Sequence, residues 1–418
     1  MRKVIISGMI GNGLEWYDYA LYGQMAWLLS ELFFPAGDPA VKLLATFGVF
    51  AAGFFARPLG AVFFGWLGDT YGRKTAMVAA VLLMAIPTGC IGLLPTYDAI
   101  GMWAPVLLTL IRITQGMSLG GEFSGSITYI VEHAPPHRRG LAGVASLCSL
   151  ILGFLMGLLV VRGLMTWFGK EEFEAWVWRV PFLFGIVVGL VGFYIRKQCH
   201  ESPIYKRARE EGHLSKTPVK EAFAKHPWEM LQGFAIYMTV TMPFYLTTIY
   251  FISFSHLHLG IDTDDALTMS IFNMLALLLI KPISAWGSDY IGRKPIMVAA
   301  ALAMFVSVYP LFSFFVPGAS LATIGLVQLA FAVLLAVYIG PVAAVLVELF
   351  PTSVRFTGMA ISYNLSAALF GGTAPVICEW LIKATGQNSS LAFYVMACNA
   401  ASLIALYFYK DRYKEPLR

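Results

Sequence analysis

Several charged residues sit deep inside long apolar stretches of the first half of this chain, among them Glu15, Asp18, Arg57, Arg112 and Glu122. A charge near the centre of a bilayer costs roughly 3 kcal/mol on insertion scales, so each needs a reason to be there. An acid beside an arginine can handle a proton. The carboxylate stays ionised while the guanidinium is near, takes up a proton when the arginine moves away, and releases it when the arginine returns. Depth along a helix runs at ~1.5 Å per residue. On that scale Glu15 lies ~16 Å from the inner end of its segment and Arg57 ~18 Å above Asp69, so these two are level. Asp18 lies ~20 Å up, and Arg112, early in an inward-running segment, reaches a similar height. The expected partners are therefore Glu15 with Arg57 and Asp18 with Arg112. Glu15 and Asp18 also share adjoining parts of one helix face. Plain ion pairing between helices would suit Glu15–Arg57 equally well; Asp18 and Arg112 are the favoured coupling pair. Glu122 follows Gly120-Gly121, a run that permits close helix approach, and is a second proton candidate.

A second constellation is written twice. Gly68-Asp69-Thr70-Tyr71-Gly72-Arg73-Lys74 and Ser288-Asp289-Tyr290-Ile291-Gly292-Arg293-Lys294 are followed by the same Met-Val-Ala-Ala, at Met77 and at Met297. Glu132 precedes Arg139, and Glu348 precedes Arg355, by the same interval. Each half thus carries an Asp, an Arg, a Glu and a second Arg: Asp69, Arg73, Glu132, Arg139, and Asp289, Arg293, Glu348, Arg355. Opposite charges at one membrane face can form a gate that closes and parts. The Asp69 carboxylate can also meet a helix N-terminus of the other half, where the dipole favours an anion. Topology alone would need only Lys and Arg, so the acids argue for gating. Candidate substrate contacts are Arg57, Arg112, Tyr22, Gln115, Tyr237, Tyr363 and Asn364. The span-7 aromatics Tyr237, Phe244, Tyr245 and Tyr250 offer a cage for a quaternary amine, against the plainer reading of core residues. Asn273 and Gln328 read as contacts between helices, and Lys281 as a snorkelling lysine.

The elements that must hold these residues are membrane spans. The chain has 418 residues, 58% hydrophobic and 13% charged, where a soluble domain carries roughly 25% charged residues. Twelve apolar segments are predicted, at about 4–34, 43–68, 75–94, 104–131, 140–167, 179–196, 227–255, 265–287, 295–316, 321–348, 355–383 and 389–409. The first is too long for a signal peptide and should remain as a span. Lys and Arg cluster in one set of loops, which places both termini in the cytoplasm. The polar stretch 196–226 divides an N-terminal six-helix bundle (1–195) from a C-terminal one (227–418) and reads as a cytoplasmic linker with a short amphipathic helix. The net charge of +5 sits between spans and is no nucleic-acid signal. Of the five cysteines, Cys90, Cys148, Cys378 and Cys398 lie in apolar segments and read as small buried residues; Cys199 lies outside them. No metal cluster or nucleophile–base arrangement points to an enzyme, and a continuous channel fits duplicated gates less well than alternating access does.

The motifs carry a family resemblance. Gly65-x2-Gly68-Asp69-x2-Gly72-Arg73-Lys74 resembles the loop motif of the major facilitator superfamily, and Arg112-x2-Gln115-Gly116 its span-4 arginine motif. Gly11-Asn12-x2-Glu15-Trp16-Tyr17-Asp18, Gly53-Phe54-x2-Arg57-Pro58, Gly120-Gly121-Glu122, Trp178-Arg179-x-Pro181-Phe182 and Phe370-Gly371-Gly372-Thr373-x-Pro375 resemble the metabolite:proton symporter family, which includes proline/betaine, α-ketoglutarate, citrate and shikimate permeases. The resemblance implies an all-α membrane protein of twelve transmembrane helices in two pseudo-symmetric six-helix bundles, with a central cavity and alternating access. It implies proton symport with no cofactor besides the coupling proton, and Asp18 and Arg112 as the coupling pair. The expected setting is the cell inner membrane, the expected state a monomer, and no nucleic acid is involved. The paired arginines suit a small carboxylate, so import of an organic or amino-acid-like acid is the main expectation, with a proline/betaine zwitterion as the alternative. A channel or a transport-derived sensor stands as the alternative of another class, the sensor without a recognisable sensing domain in this sequence. The chain ends soon after the twelfth segment, without the coiled coil of osmosensory members, so osmotic activation is not expected.

Overall fold

The computed structural model describes residues 2–35, 39–198 and 200–417, so Cys199 lies outside the described residues. The described chain is helical and carries no strand. Nine helical runs are long and apolar enough to cross a membrane, among the described residues: Arg73–Leu93, Pro136–Phe168, Arg179–Lys197, Pro227–Leu259, Asp265–Ile291, Arg293–Phe312, Leu321–Leu349, Arg355–Thr385 and Asn388–Phe408. They meet the expected spans 3 and 5 to 12. Three more long helices stand where spans 1, 2 and 4 are expected: Arg2–Gln24, continued after a break by Ala26–Phe33, then Pro39–Thr70 and Trp103–His133. These three carry the intramembrane charges, and with them the twelve-helix pattern of two related halves is complete.

The helices group into two compact units that are not simple halves of the sequence. Unit 1 comprises 1–133, 146–221 and 352–361; unit 2 comprises 134–145, 222–351 and 362–418. Span 5 begins in unit 2 and continues in unit 1, and span 11 begins in unit 1 and continues in unit 2. The stretch expected to be a linker holds two short helices, Pro203–Glu210 and Pro218–Lys225, and its first helix belongs to unit 1.

Within unit 1, spans 2 and 4 touch backbone to backbone. A Cβ added to Gly116 would lie 2.0 Å from the Gly53 carbonyl oxygen, and one on Gly120 would lie 2.3 Å from the Ala61 nitrogen. Side-chain-free surfaces of this kind let helices approach closely where lipid supplies no hydrophobic drive. The Tyr17 hydroxyl donates to the Pro181 carbonyl at 2.9 Å and ties span 1 to the start of span 6. Asn12 donates to Ser149 Oγ at 3.1 Å and to the Ser146 carbonyl, tying span 1 to span 5. A core of Tyr17, Leu21, Met25, Trp178 and Phe182 fills the outer part of the unit.

Unit 2 packs around aromatic rings. Phe251, Phe254, Phe312, Phe315 and Phe331 meet with centroids 4.9 to 6.3 Å apart. Span 7 changes pitch just beyond Pro243, with a π-turn at Leu246–Tyr250, and the Thr247 hydroxyl donates to the Pro243 carbonyl at 2.8 Å. Span 11 has a matching π-turn at Ala367–Gly371. Cys148, Cys378 and Cys398 are buried as expected, whereas Cys90 is exposed on the helix surface.

Candidate functional site

Unit 1 brings the coupling candidates together. Arg112 Nη1 donates to Asp18 Oδ2 at 2.5 Å and to Gln115 Oε1 at 2.7 Å. Gln115 sits nearly one turn further along the same helix, and its Nε2 donates to Asp18 Oδ1 at 3.0 Å and to Thr88 Oγ1 at 2.9 Å. Both Asp18 oxygens are therefore held, one by a charge and one by an amide. The Arg112 guanidinium lies 4.2 Å from the centroid of the Tyr22 ring and 5.1 Å from that of Tyr19, and the Tyr22 hydroxyl donates to the Thr46 carbonyl at 3.1 Å. All of these side chains are buried. Spans 1, 3 and 4 supply them, and the acid meets the arginine to which helical depth matches it.

The other predicted pair differs. Arg57 is buried with its guanidinium 5.3 Å from the Phe54 ring. Both oxygens of the buried Glu15 carboxylate lack a hydrogen-bond partner among the described residues. Arg57 is the charge that acts most strongly on it, followed by Glu122, Arg196 and Asp18. Glu15 and Arg57 are thus electrostatic neighbours, and no hydrogen-bonded ion pair joins them.

Glu122, the second proton candidate, has a partner that its sequence position does not announce. Arg196 grips it with both guanidinium nitrogens, Nη1 to Oε2 at 2.7 Å and Nη2 to Oε1, and Nη1 also donates to the Met77 carbonyl at 2.6 Å. By sequence position Arg196 opens the cytoplasmic stretch; it belongs instead to the last turn of span 6 and is 1% exposed. A long side chain at a helix end can fold back into the bundle, and sequence position alone cannot separate that from solvation.

The repeated loops build two charged junctions, one in each unit. In unit 1, Asp69 Oδ1 and Oδ2 accept from the Phe356 and Thr357 backbone N–H groups at 3.2 and 2.8 Å, at the first turn of the helix Arg355–Ser366. Unpaired N–H groups and the dipole make this an anion seat. Arg73 donates to Asp69, to the Thr352 carbonyl at 3.0 Å and to Glu132 at 3.5 Å. Glu132 also accepts from Arg355 at 2.7 Å and from the Ser202 hydroxyl. In unit 2, Asp289 accepts from the Gly140 and Leu141 N–H groups, both at 2.9 Å, at the start of span 5. Arg293 donates to Asp289 at 2.6 Å and to Glu348 at 3.2 Å, and Arg139 lies 3.8 Å from Glu348. All eight predicted gate residues thus enter these two clusters, and each cluster includes the start of a helix contributed by the other half of the sequence.

Sequence reasoning misses two acids of these junctions. Glu201 accepts the Arg73 and Lys74 N–H groups at 3.1 and 3.2 Å, and Asp411 accepts the Lys294 N–H at 2.9 Å. They cap spans 3 and 9 just after Gly72 and Gly292, whose φ angles of 115° and 112° favour glycine. The available signal is an acid shortly after the sixth and the twelfth span. A Cβ on Gly72 would lie 2.1 Å from Glu201 Oε2, and one on Gly292 would lie 2.8 Å from Asp411 Oδ2. Gly72→Ala and Gly292→Ala should each lower the thermal melting point of the detergent-solubilised protein, by about 1–3 kcal/mol of backbone strain plus the disturbed cap, with Gly72→Ala the more damaging.

In unit 2, Tyr237 and Tyr363 meet edge to face with centroids 4.9 Å apart, and Asn364, next to Tyr363 in sequence, is fully buried. Lys281 does not snorkel: it is 1% exposed and its ammonium lies 5.6 Å from the Phe244 ring. Asn273 donates to Gln328 at 3.1 Å and Gln328 to Ser255 at 3.0 Å, which links spans 7, 8 and 10. Tyr250, one of the span-7 aromatics that could have formed a cage, instead donates to Glu379 at 2.7 Å, beside His258. No group of three or more metal-ligating side chains occurs among the described residues.

Residues 4–225 and 206–411 match the family described as Sugar (and other) transporter. The glycine betaine/proline/ectoine/pipecolic acid transporter OusA of Dickeya dadantii is 33% identical over 100% of this chain and 85% of its own length. The proline/betaine transporter of Escherichia coli is 32% identical over the same shares. The inner membrane metabolite transport protein YhjE of Escherichia coli is 35% identical over 97% of this chain and 93% of its own. Among solved structures, the major facilitator superfamily proton:xylose symporter XylE, bound to 6-bromo-6-deoxy-D-glucose, superposes with a TM-score of 0.82 at 19% identity, covering 98% of this chain and 96% of its own.

Proposed function

The chain belongs to the sugar (and other) transporter family of the major facilitator superfamily, and from that premise we propose that it imports a small zwitterion of the proline/betaine kind together with a proton. It is a membrane transporter and not an enzyme. The substrate class is supported by relatives of full chain coverage that are named for glycine betaine, proline, ectoine and pipecolic acid. Those names favour the zwitterion over the organic acid that the arginines alone suggest.

The coupling reading rests on one observation, the buried Asp18–Arg112–Gln115 cluster. A substrate carboxylate competes with Asp18 for Arg112. Once Arg112 turns to the substrate, Asp18 is a buried carboxylate without its counter-charge, and a proton restores neutrality. Substrate and proton then bind as a set. Glu15, already without a hydrogen-bond partner among the described residues, is the next acid on the same helix to receive the proton. Arg57, Tyr22, Tyr237, Tyr363 and Asn364 remain the proposed substrate contacts, with the faces of the Tyr237 and Tyr363 rings suited to a cationic nitrogen. The two charged junctions act as gates that close the cytoplasmic side and part when it opens. The Lys and Arg distribution supports an inner-membrane protein with both termini on the cytoplasmic side.

Proteoliposomes given an inward-directed proton gradient should accumulate labelled proline or glycine betaine, and a protonophore should reduce this to equilibration. A neutral zwitterion moving with one proton also gains about 2.3 kcal/mol per 100 mV of inside-negative potential. Uptake of citrate or α-ketoglutarate in place of either zwitterion, or accumulation indifferent to the gradient, would refute the reading.

A further inference from the structure

We propose that unit 2 carries a second, regulatory binding site for a small zwitterion, set against its charged junction between the first turns of span 7 and the chain segment that follows span 12. A cavity of about 160 Å³ lies there, lined by Trp228, Glu229 and Gln232 on one side and by Glu348, Tyr409 and Arg412 on the other. None of these residues belongs to the proposed substrate contacts, and only Glu348 has a role in gating.

Four polar atoms of this lining lack a hydrogen-bond partner among the described residues: Gln232 Nε2, Glu348 Oε2, Tyr409 Oη and Arg412 Nη1. Gln232, Glu348 and Tyr409 are 5%, 4% and 2% exposed. An unsatisfied buried polar atom is costly, so three or four around one cavity call for a polar occupant. The lining also fixes the occupant's charge. It presents both signs, the acids Glu229 and Glu348 beside the bases Lys410 and Arg412, with Arg293 and Arg139 behind Glu348 and Glu415 beside Arg412. A molecule with both charges matches it. Its cationic end would face Glu348 and the Trp228 and Tyr409 rings, and its anionic end Arg412 with the Gln232 amide as donor. Size agrees: an apolar cavity of about 150 Å³ accepts benzene, so this one admits roughly six to eight non-hydrogen atoms.

The position gives the site a consequence. Glu348 uses its other oxygen to hold Arg293 at 3.2 Å. A cation on the free oxygen competes for the same carboxylate, and an occupant bridging span 7 to the Tyr409–Arg412 segment ties down the residues beside the Asp411 cap. Occupancy therefore biases the junction, and a zwitterion accumulated on the junction side slows further transport. The ligand class follows from the cavity's own charges and stands whether or not the same class is transported.

The test is calorimetric titration of the purified full-length protein with glycine betaine and with proline. Wild type should show two sites. Arg112→Gln, aimed at the transport site, should keep one. Adding Arg412→Gln or Gln232→Leu should weaken that remaining site at least tenfold, while either substitution alone leaves uptake from outside intact and relieves inhibition by internally loaded zwitterion. If Arg112→Gln does not fold, the wild-type count falling from two sites to one on Arg412→Gln reads the same quantity. The proposal is overturned by a single site insensitive to Arg412→Gln, by inorganic phosphate or choline binding this cavity more tightly than the zwitterions, or by displacement of the bound zwitterion by phosphatidylethanolamine vesicles but not by phosphatidylglycerol ones, which would make it a lipid headgroup site. Loss of all uptake with the second site retained would refute the transport reading alone.

Discussion

Asp18→Asn should abolish proton-driven accumulation while leaving exchange of labelled for unlabelled substrate across the same membrane. Asparagine keeps the shape of Asp18 and one acceptor oxygen, which can serve Arg112 or Gln115 but not both of the donors that hold the carboxylate at 2.5 and 3.0 Å. It can neither carry a proton nor provide the charge that draws Arg112 back. The magnitude follows from the driving force. One pH unit supplies about 1.4 kcal/mol per proton and 100 mV of potential about 2.3 kcal/mol. Acting together they sustain accumulation of several hundred-fold, all of which the variant forfeits. Exchange needs only the substrate-loaded protein to reorient, so it should persist within about tenfold of wild type. Asp18→Glu should keep part of the coupling, because the carboxyl survives even if its reach to Arg112 is altered. Counterflow and pH-jump uptake in the same vesicles separate the two activities. If Asp18→Asn still accumulates substrate with the wild-type dependence on the gradient, the coupling acid is elsewhere, and the unpartnered Glu15 is the next residue to substitute.

The sequence is most informative where residue type and helical geometry act together. Asp18 and Arg112 stand on different spans, yet a fixed rise per residue brings them to one depth, and a buried acid and arginine at one depth attract. The junctions are legible because their cause is local and written twice: an aspartate, a glycine for a positive φ, and an arginine one turn from the acid. Even the helix N-terminus that Asp69 holds follows from the need of an anion in an apolar setting. What escapes depends on side-chain reach and on where a loop lands. Arg196 looks like a topogenic charge and instead folds back to Glu122. Lys281 has the length to snorkel and instead stays buried over a ring. Glu201 and Asp411 lie in segments with no periodicity to place them, although each caps a span of its own unit. The exchange of segments 134–145 and 352–361 between the two units is likewise tertiary, since nothing in an apolar run marks where along it one unit ends.

The junctions are not equivalent, and this leads to the second large effect. Glu132 is fully enclosed and faces two arginines, Arg355 at 2.7 Å and Arg73 at 3.5 Å, with the Ser202 hydroxyl on its other oxygen. Glu132→Gln keeps the volume and removes the carboxylate charge that faces both buried guanidinium groups, while Asp69 still pairs with Arg73. Breaking a buried pair by losing one partner costs about 3–5 kcal/mol. Here the cost falls only on the state in which the junction is assembled, since once it parts each arginine can reach water. A bias of about 3 kcal/mol shifts a two-state ratio by roughly a hundredfold. Glu348→Gln should do less, because one Glu348 oxygen already lacks a partner and Arg139 has the Glu415 carbonyl at 2.7 Å as a second acceptor. The measurement is labelling of single cysteines introduced on the junction side of spans 4 and 10, in inside-out vesicles. Glu132→Gln should raise the labelling rate toward its open-state limit, and Glu348→Gln should raise it several-fold less. Glu132→Gln with Arg355→Gln should recover part of the wild-type protection, since one buried cation is removed along with the acid that faced it. Equal labelling in all three proteins would mean that the buried charges hold helices together without gating them. The reverse order of the two single variants would place the controlling junction in unit 2.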